Sequence, residues 1–341
     1  MLALILFIIY PHMLFLKVPK NQGEKIRQEL IAEAIFDPTY PVLQEEDFLL
    51  FPVTRRYKDF ELVERDAEKR EQMPDNLKQA LARTLSGDEL QSITTSFDII
   101  GDIAILEIPG ELQEKEYEIA DALLKIQKNV KCVFKKLGAM EGKFRIRRLQ
   151  HLGGENRTET LYKEHGCQFK LDVSKVYFSV RLSHERGRIA DLVKPNEKIL
   201  VLFAGVGPFA IVIAKKHPDA EVTAVELNPD AVRYMKENIK LNRCSNVIAV
   251  EGDAADFQET GFDRIIMPLP HSAYEFMDTA KRAAKEGAVI HYYCIAGSDD
   301  PEGNALKKID ASGLRLVSSR IARPYSADLV QVVLDLVKTK D

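Results

Sequence analysis

The sequence predicts an α/β protein. Its C-terminal half is a doubly wound, mostly parallel seven-stranded sheet, and two smaller α/β or α+β units precede it. Three observations lead there. From residue 198 onward, apolar strand-like runs alternate with amphipathic helical stretches. A glycine-containing turn joins the first of these runs to the next helix. Two strand-like runs with no helix between them close the chain, as an antiparallel pair added at one sheet edge would.

Along the chain, MLALILFIIY (1–10) comes first. It is about half the ~20 apolar residues needed to span a bilayer. It also lacks the basic start and small-residue cleavage site of a signal peptide. Residues 1–12 are set apart as an apolar extension, with translation expected to begin at Met13. A buried strand or a membrane-surface segment is the competing reading. Residues 13–75 form a small N-terminal unit, with strands MLFLKVP and FLLFPVT around the helix GEKIRQELIAEAIF. The charged stretch 64–76 (ERDAEKREQMPDN) follows as a linker or exposed helix. Residues 85–175 form a middle unit. It has a hairpin signal around Gly101 in SFDIIGDIAILEIP and an acidic segment at 111–121. From 125 to 148, nine Lys or Arg stand against one acid, Glu141. Such a run is ordinarily a solvated face. The alternation in FRIRRLQ, however, predicts a strand with Arg145 and Arg147 on one face, where two guanidiniums suit phosphate or carbonyl recognition.

The third unit, 176–341, is read as strands KILVLF (198–203), EVTAVEL (221–227), VIAVEGD (247–253), FDRIIMPLP (262–270) and AVIHYYCIA (288–296). Helices NPDAVRYMKENIKLN, SAYEFMDTAKRAAKE and NALKKIDAS lie between them, and LRLVSSRIARP and LVQVVLDLVK end the unit. That last pair marks a class I S-adenosylmethionine-dependent methyltransferase sheet rather than a plain dinucleotide-binding fold.

Composition narrows the classes. The chain has 341 residues, 45% hydrophobic and 29% charged, with 18 Gly and 15 Pro, which excludes collagen-like, disordered and membrane-spanning types. A net charge of −4 supplies no global attraction to nucleic acid, so any such partner is held by local patches. The cysteines at 132, 167, 244 and 294 form no CxxC and have no His at zinc-ligand spacing. A disulfide scaffold and a metal site are therefore not expected, and the free thiols fit a cytoplasmic location.

In FAGVGPF (203–209), Gly205 and Gly207 let the backbone approach a ligand, and the spacing is not GxGxxG. Glu226 ends the second strand about 20 residues later, where an acid can accept both ribose hydroxyls. Asp253 ends the third strand, where an acid can accept an adenine amino group. Each acid alone is as well explained as a helix cap; together, in order, they favour an adenosine-containing ligand.

The segments RIRRLQHLGGENRTETLYKEHG (145–166), VYFSVRLSHERGRIA (176–190), FAGVGPF and HYY (291–293) resemble the archaeal and eukaryal tRNA (guanine-37-N1)-methyltransferase family over nearly all of 13–341. The resemblance implies S-adenosyl-L-methionine as methyl donor and tRNA as partner, bound through its anticodon loop and body. A monomer is expected, because several domains in one chain can hold both the elbow and the loop of one tRNA, and no membrane attachment is expected. The resemblance places a base-pocket arginine at Arg145, an aromatic near the flipped guanine at Tyr177 and a general base at Glu185. Cofactor contacts fall on Arg186, Phe203, Ala204, Gly205, Gly207, Glu226, Leu227, Asp253, Ala254 and Pro268, and tRNA contacts on Lys143, Arg147, Arg148 and Arg181. No metal is implied. The chemistry is coherent, because guanine N1 must lose a proton before it attacks a methyl sulfonium, and that loss builds charge on O6. Read without the family, Glu185 is a helix-surface residue paired with Arg181 or Arg188.

The chain departs from the family pattern at Val180, Val201 and Pro268. Pro268 takes the place of the asparagine in M-N-L-P. A pocket opened by that change suits a dual enzyme that also methylates C7 of 4-demethylwyosine in wyosine biosynthesis, giving isowyosine. The alternatives are aminocarboxypropyl transfer onto the same base and a non-catalytic RNA-binding relative.

Overall fold

A computed structural model describes residues 12–69, 74, 76–93, 97–138 and 142–340. The apolar extension expected at 1–12 lies outside these, apart from the backbone of His12. The chain divides into two compact units, 1–75 and 76–341.

In the first unit, β1 (His12–Pro19), β2 (Leu43–Glu45), β3 (Phe48–Pro52) and β4 (Glu61–Asp66) form an antiparallel sheet in the order β2-β3-β1-β4. Helix α1 (Gly23–Ala32) buries Ile26 and Leu30 with Leu16, Val18 and Phe51 of the strands. The charged stretch expected as linker or helix from residue 64 begins instead as strand. Glu64, Arg65 and Asp66 pair with Leu14, Met13 and His12. As an edge strand, β4 can keep its backbone in the ladder while its charged side chains stay in water.

The second unit opens with α2 (Leu77–Leu81) and α3 (Gly87–Ser92). A four-stranded sheet follows, in the order β5-β6-β7-β8: β5 (Asp98–Ile100), β6 (Ile103–Leu106), β7 (Cys132–Lys136) and β8 (Leu149–Gly154). Helix α4 (Glu116–Ile126) packs Ile119 and Leu123 onto Leu106, Val133 and Leu152. The hairpin around Gly101 is present, with φ +62° at the glycine. The strand predicted for FRIRRLQ is not. Residues 142–145 form a turn, Arg145 has φ +53°, and β8 starts only at Leu149. Alternation of charge and apolarity there reflects a turn that buries Ile146 and Arg145 in part, not a pleat.

A hairpin follows, β9 (Glu159–Glu164) with β10 (Cys167–Asp172), and then the large sheet. Its strands are β11 (Lys198–Leu202), β12 (Glu221–Glu226), β13 (Val247–Glu251), β14 (Phe262–Met267), β15 (Ala284–Gly297), β16 (Leu314–Pro324) and β17 (Leu329–Lys338). Their order is β13-β12-β11-β14-β15-β17-β16, with the first five parallel and β17 antiparallel to both neighbours. Helices α5 (Ser183–Leu192), α6 (Pro208–Lys216), α7 (Pro229–Asn242), α8 (Met277–Ala283) and α9 (Pro301–Leu306) cover its two faces. The uninterrupted apolarity of KILVLF has a simple cause. Ile199 and Val201 enter one core cluster, Leu200 and Leu202 the opposite one, so both faces are buried.

Helix ends differ from expectation in several places, among them α1, which stops at Ala32 rather than Phe36, and α9, which stops at Leu306. Helix α8 stops at Ala283, and Ala284 already pairs with Phe262, so the final AKE (284–286) is strand rather than helix. Helix α9 starts earlier than predicted, because the Asp300 carboxylate accepts a hydrogen bond from Gly303 N (3.0 Å) and Pro301 occupies the first turn.

Residues on either side of position 175 belong to one unit, and α7 supplies the reason. Asn238 and Asn242 lie one helical turn apart and hold the open edge of β10. Lys170 N donates to Asn238 Oδ1 (2.7 Å), whose Nδ2 returns a bond to Lys170 O (3.0 Å). Gln168 N and O exchange the same pair with Asn242 (2.8 and 2.6 Å).

Helix α5 is fixed to the sheet by buried charges. Arg264 on β14 binds Glu197 through Nε and Nη2 (2.7 and 2.9 Å) and faces His291 Nε2 (2.6 Å). His291 Nδ1 lies 2.6 Å from Asp335 Oδ1, and Arg188 Nη1 donates to Asp335 Oδ2 (3.0 Å). Arg188 Nε in turn donates to Glu185 Oε2 (3.0 Å). A guanidinium N–H pointing at Nε2 makes that nitrogen the acceptor, so His291 is neutral with its proton on Nδ1. Complete burial depresses its pKa, outweighing the pull of Asp335, and Arg264 and Arg188 add to the depression.

Folding therefore favours neutral His291. Its contribution is full above the unfolded pKa of about 6.5 and is lost as pH falls below that. Asp335, held down by its pairing with His291 and Arg188 against the effect of burial, loses its contribution only below about pH 4. Thermal melts across about pH 5 to 7.5 are expected to show stability rising with pH. His291→Gln, which keeps one donor and one acceptor, should flatten that rise. An unchanged slope would place the responsible proton elsewhere.

Candidate active site

The carboxyl ends of β11, β12, β13 and β14 open onto a cavity of about 390 Å³, within the range of small-molecule sites. The turn after β11 is left-handed at Phe203, Gly205 and Gly207 (φ +56°, +57° and +87°). At Gly205 a Cβ would find only Tyr177 O at 3.7 Å, so that side of the turn stays open to a ligand. At Gly207 it would meet Met235 Cγ at 3.0 Å, so Gly207 is required for packing.

Glu226 accepts hydrogen bonds from Gly205 N (2.7 Å) and Asn228 N (2.8 Å). Burial raises its pKa, and those N–H groups oppose the rise. Asp253 accepts from Ala255 N (3.0 Å), leaving its second oxygen for other partners. Leu227, Asp253, Ala254, Pro268 and Phe203 line the same space, and Phe276 packs edge-on to Phe203 at 4.8 Å. Lys143, Arg145 and Tyr177 form another part of the wall. The Arg145 guanidinium lies 5.7 Å from the Tyr177 ring centroid, and its buried Nε has no hydrogen-bond partner. A buried donor left unpaired carries a desolvation cost, which an incoming acceptor would relieve.

Not every expected residue is here. Ala204 is buried, with its N–H on Val225 O (3.0 Å), and positions the turn without lining the cavity. Arg186, expected at the cofactor, is buried in an ion pair with Glu164: Nε and Nη2 reach the two carboxylate oxygens, the latter at 2.7 Å. Its Nη1 donates to Ser179 O (3.1 Å), so Arg186 shapes the chain between β10 and α5. Glu185 does not line the cavity either. Tyr293 Oη donates to its Oε2 (3.0 Å), as does Arg188, and Arg320 Nη1 donates to its Oε1 (2.5 Å). Of the arginines expected on RNA, Arg181 Nε binds Asp98 Oδ1 (2.8 Å) and Arg147 lies 3.7 Å from Asp98 Oδ2. Arg148 and Lys143 are exposed. The GENRT segment joins the middle sheet to the hairpin, with the Arg157 guanidinium paired to Asp102 (Nη1 to Oδ1, 3.0 Å).

Sequence reasoning missed Phe144, Leu269, Ser272, Glu275 and Phe276 in the wall. The signal available for them was their place within or just after two recognised motifs: Phe144 opens F-R-x-R, Leu269 lies in MPLP, and Ser272, Glu275 and Phe276 follow it.

The sheet order and the glycine turn beside two strand-end acids define a class I methyltransferase. Residues 160–312 match the TRM5/TYW2 methyltransferase domain, 77–158 the TYW2 N-terminal domain, and 16–61 the tRNA methyltransferase 5 N-terminal domain. The chain is 41% identical over 329 residues to the tRNA (guanine(37)-N(1))-methyltransferase Trm5b of Pyrococcus abyssi, covering 94% of this chain and 98% of that one. It is 48% identical over 275 residues to the tRNA (guanine(37)-N(1))/4-demethylwyosine(37)-methyltransferase Taw22 of Nanoarchaeum equitans, covering 64% and 91%. Among solved structures, the complex of aTrm5 with tRNALeu matches with a TM-score of 0.81 and 32% identity over 97% of this chain and all of that one. The chain belongs to the TRM5/TYW2 methyltransferase family.

Breaking a buried ion pair from one side costs about 3–5 kcal/mol, which for a unit of this size lowers Tm by on the order of 10 °C. Glu164→Gln should do this while leaving affinity for S-adenosylhomocysteine within about twofold at a temperature where the variant is folded. Tenfold weaker binding there would return Arg186 to the cofactor.

Proposed function

We propose that the protein transfers a methyl group from S-adenosyl-L-methionine to N1 of guanosine-37 in tRNA, acting as a cytoplasmic monomer, and that it also methylates C7 of 4-demethylwyosine. One observation carries this reading: a single cavity holds Gly205, Glu226 and Asp253 for an adenosine, and Arg145 with Tyr177 for a base. The donor set fits the cofactor. Glu226 offers charged acceptors to the ribose hydroxyls, Asp253 has an oxygen for the adenine amino group, and the Gly205 turn admits close approach. When bound, S-adenosylmethionine supplies an electrophilic methyl on sulfur.

This chain's residues prepare the base. A target in a stacked loop is turned out to reach such a pocket. Tyr177 bounds the space that receives it. The unpaired Arg145 Nε–H and its guanidinium charge stabilise the negative charge that builds on O6 as N1 loses its proton. Glu185 takes that proton in a form in which Arg320 has released it, because both carboxylate oxygens are otherwise occupied. Pro268 presents neither an amide donor nor an acceptor to the base. That leaves room for a tricycle, in keeping with the dual activity in the name of the Nanoarchaeum equitans relative.

Purified protein with S-adenosylmethionine should convert a G37 transcript to N1-methylguanosine and a 4-demethylwyosine tRNA to isowyosine, both read by nucleoside mass spectrometry. An aminocarboxypropyl adduct instead of a methyl would move the chain to the alternative activity. Pro268→Asn should keep the first product and reduce the second at least about tenfold, a 1.4 kcal/mol effect. Glu185→Gln should slow methyl transfer about 10²–10⁴-fold at saturating substrates, whereas a purely structural Glu185 would lower Tm and leave the rate. Glu226→Ala should weaken cofactor binding by roughly 10–100-fold. Because burial raises the Glu226 pKa, binding by the intact protein should weaken on acidification, with the loss setting in at a higher pH than for an ordinary carboxylate, and Glu226→Gln should remove that pH dependence.

A further inference from the structure

Outside the adenosyl-type pocket, the mouth of the cavity carries aromatic surface that the reaction described above does not use. On one lip, Phe144 projects from the turn 142–145 with 40% of its surface exposed, between Lys143 and Arg145, and it lines the cavity. Among the described residues, Phe144 enters none of the hydrophobic core clusters. On the other lip, His271 lies between Pro270 and Ser272, which line the same cavity. Its ring meets Tyr325 edge-on at 5.4 Å, with Tyr325 Oη 3.2 Å from His271 Nε2. Tyr325 is 42% exposed, and His271 is exposed as well.

Both lips belong to the lining of one cavity, through Phe144 and Arg145 on one and Pro270 and Ser272 on the other. Burial and then the charge of Arg145 lower the His271 pKa, with Arg323 and Lys308 adding to the effect. The imidazole is therefore neutral at pH 7, and it sits among cations. Arg323 lies 5.8 Å from the Tyr325 ring centroid, fixed by a 2.7 Å bond from its Nε to Gln331 Oε1. Exposed rings interleaved with cations, at the entrance to a pocket of the opposite polarity (Glu226, Asp253 and Glu275), are the pattern of a single-stranded nucleic-acid track. The rings stack on bases and the cations follow the phosphates.

We propose that Phe144 on one lip and the His271–Tyr325 pair on the other stack on the nucleotides flanking the target base, holding the single strand while that base is turned into the cavity. This rests on the proposed tRNA activity and adds to it a recognition element outside the pocket. His271 and Tyr325 act as one unit, because the hydrogen bond orients both rings. Phe144 is a positioning residue, since it does not meet the reacting atoms.

The test uses full-length protein and anticodon stem-loops with 2-aminopurine at position 36 or 38. Wild type should quench the probe at one or both positions beyond the effect of the free loop. Phe144→Ala, and His271→Ala with Tyr325→Ala, should each relieve quenching at one position. They should weaken stem-loop binding about 5–150-fold, the 1–3 kcal/mol of one lost base stack, and the His271/Tyr325 double variant, whose residues lie outside the cavity lining, should bind S-adenosylhomocysteine as before. Phe144→Trp should restore both signals, and loss of binding without rescue by Trp would mean that Phe144 only supports the turn. Unchanged quenching and affinity in the alanine variants overturn the clamp. A wild type that quenches and binds but leaves G37 unmethylated overturns the activity and not the clamp. A wild type that binds no stem-loop overturns both.

Discussion

The fold depends on a row of buried charge that crosses four neighbouring strands. Glu197, Arg264, His291, Asp335, Arg188 and Glu185 touch one after another beneath α5, with Tyr293 and Arg320 joining at Glu185 and Ser318 at Asp335. His291 and Asp335 are register partners on β15 and β17, and Ser318 is the partner of Asp335 on β16. Three guanidiniums and three carboxylates balance, and the imidazole stays neutral between them. Such a row gains little net stability over apolar residues of the same shape, but losing one member leaves a buried charge uncompensated. Its effect is geometric. Helix α5 can take only one register on the sheet, and that register sets where Glu185 stands and where the preceding segment from Tyr177 enters the cavity.

The same logic explains what the sequence revealed and what it hid. Alternation of apolar runs and amphipathic helices follows from burial on both faces of the large sheet's parallel strands, so β11 to β17 were legible as elements in the right order, although β15 begins four residues before its predicted start. Strand-end acids and the glycine turn were legible because the fold fixes their spacing along the chain. The partners of charged side chains were not, because they are set by tertiary contact. Arg186 finds Glu164 from 22 positions away, and Glu185 finds Tyr293 from 108. In the segment 142–148 the alternation was real, but a left-handed Arg145 turned it into a corner rather than a pleat. That corner is what brings Arg145 and Phe144 to the cavity at all.

The cavity divides its electrostatics by region. Acids that require a neutral or cationic ligand lie at the ends of β12 and β13, while the turn before β8 supplies cations beside aromatic rings. This arrangement accommodates a cofactor carrying positive charge and a nucleic acid carrying negative charge without placing like charges together.

The two asparagines on α7 have a consequence for modularity. An edge strand normally exposes donors and acceptors to any passing strand. Here the amides of Asn238 and Asn242 act as a surrogate strand along β10. The hairpin is thus completed only by a helix more than sixty residues later in the chain. A fragment ending near residue 175 would carry β10 with its outer edge bare, whereas one ending just before β9 would not. The cut that preserves both pieces lies at about residue 158, where the matched family domains also divide. Transplanting or exchanging the middle module between relatives should respect that seam, because the hairpin travels with the catalytic sheet.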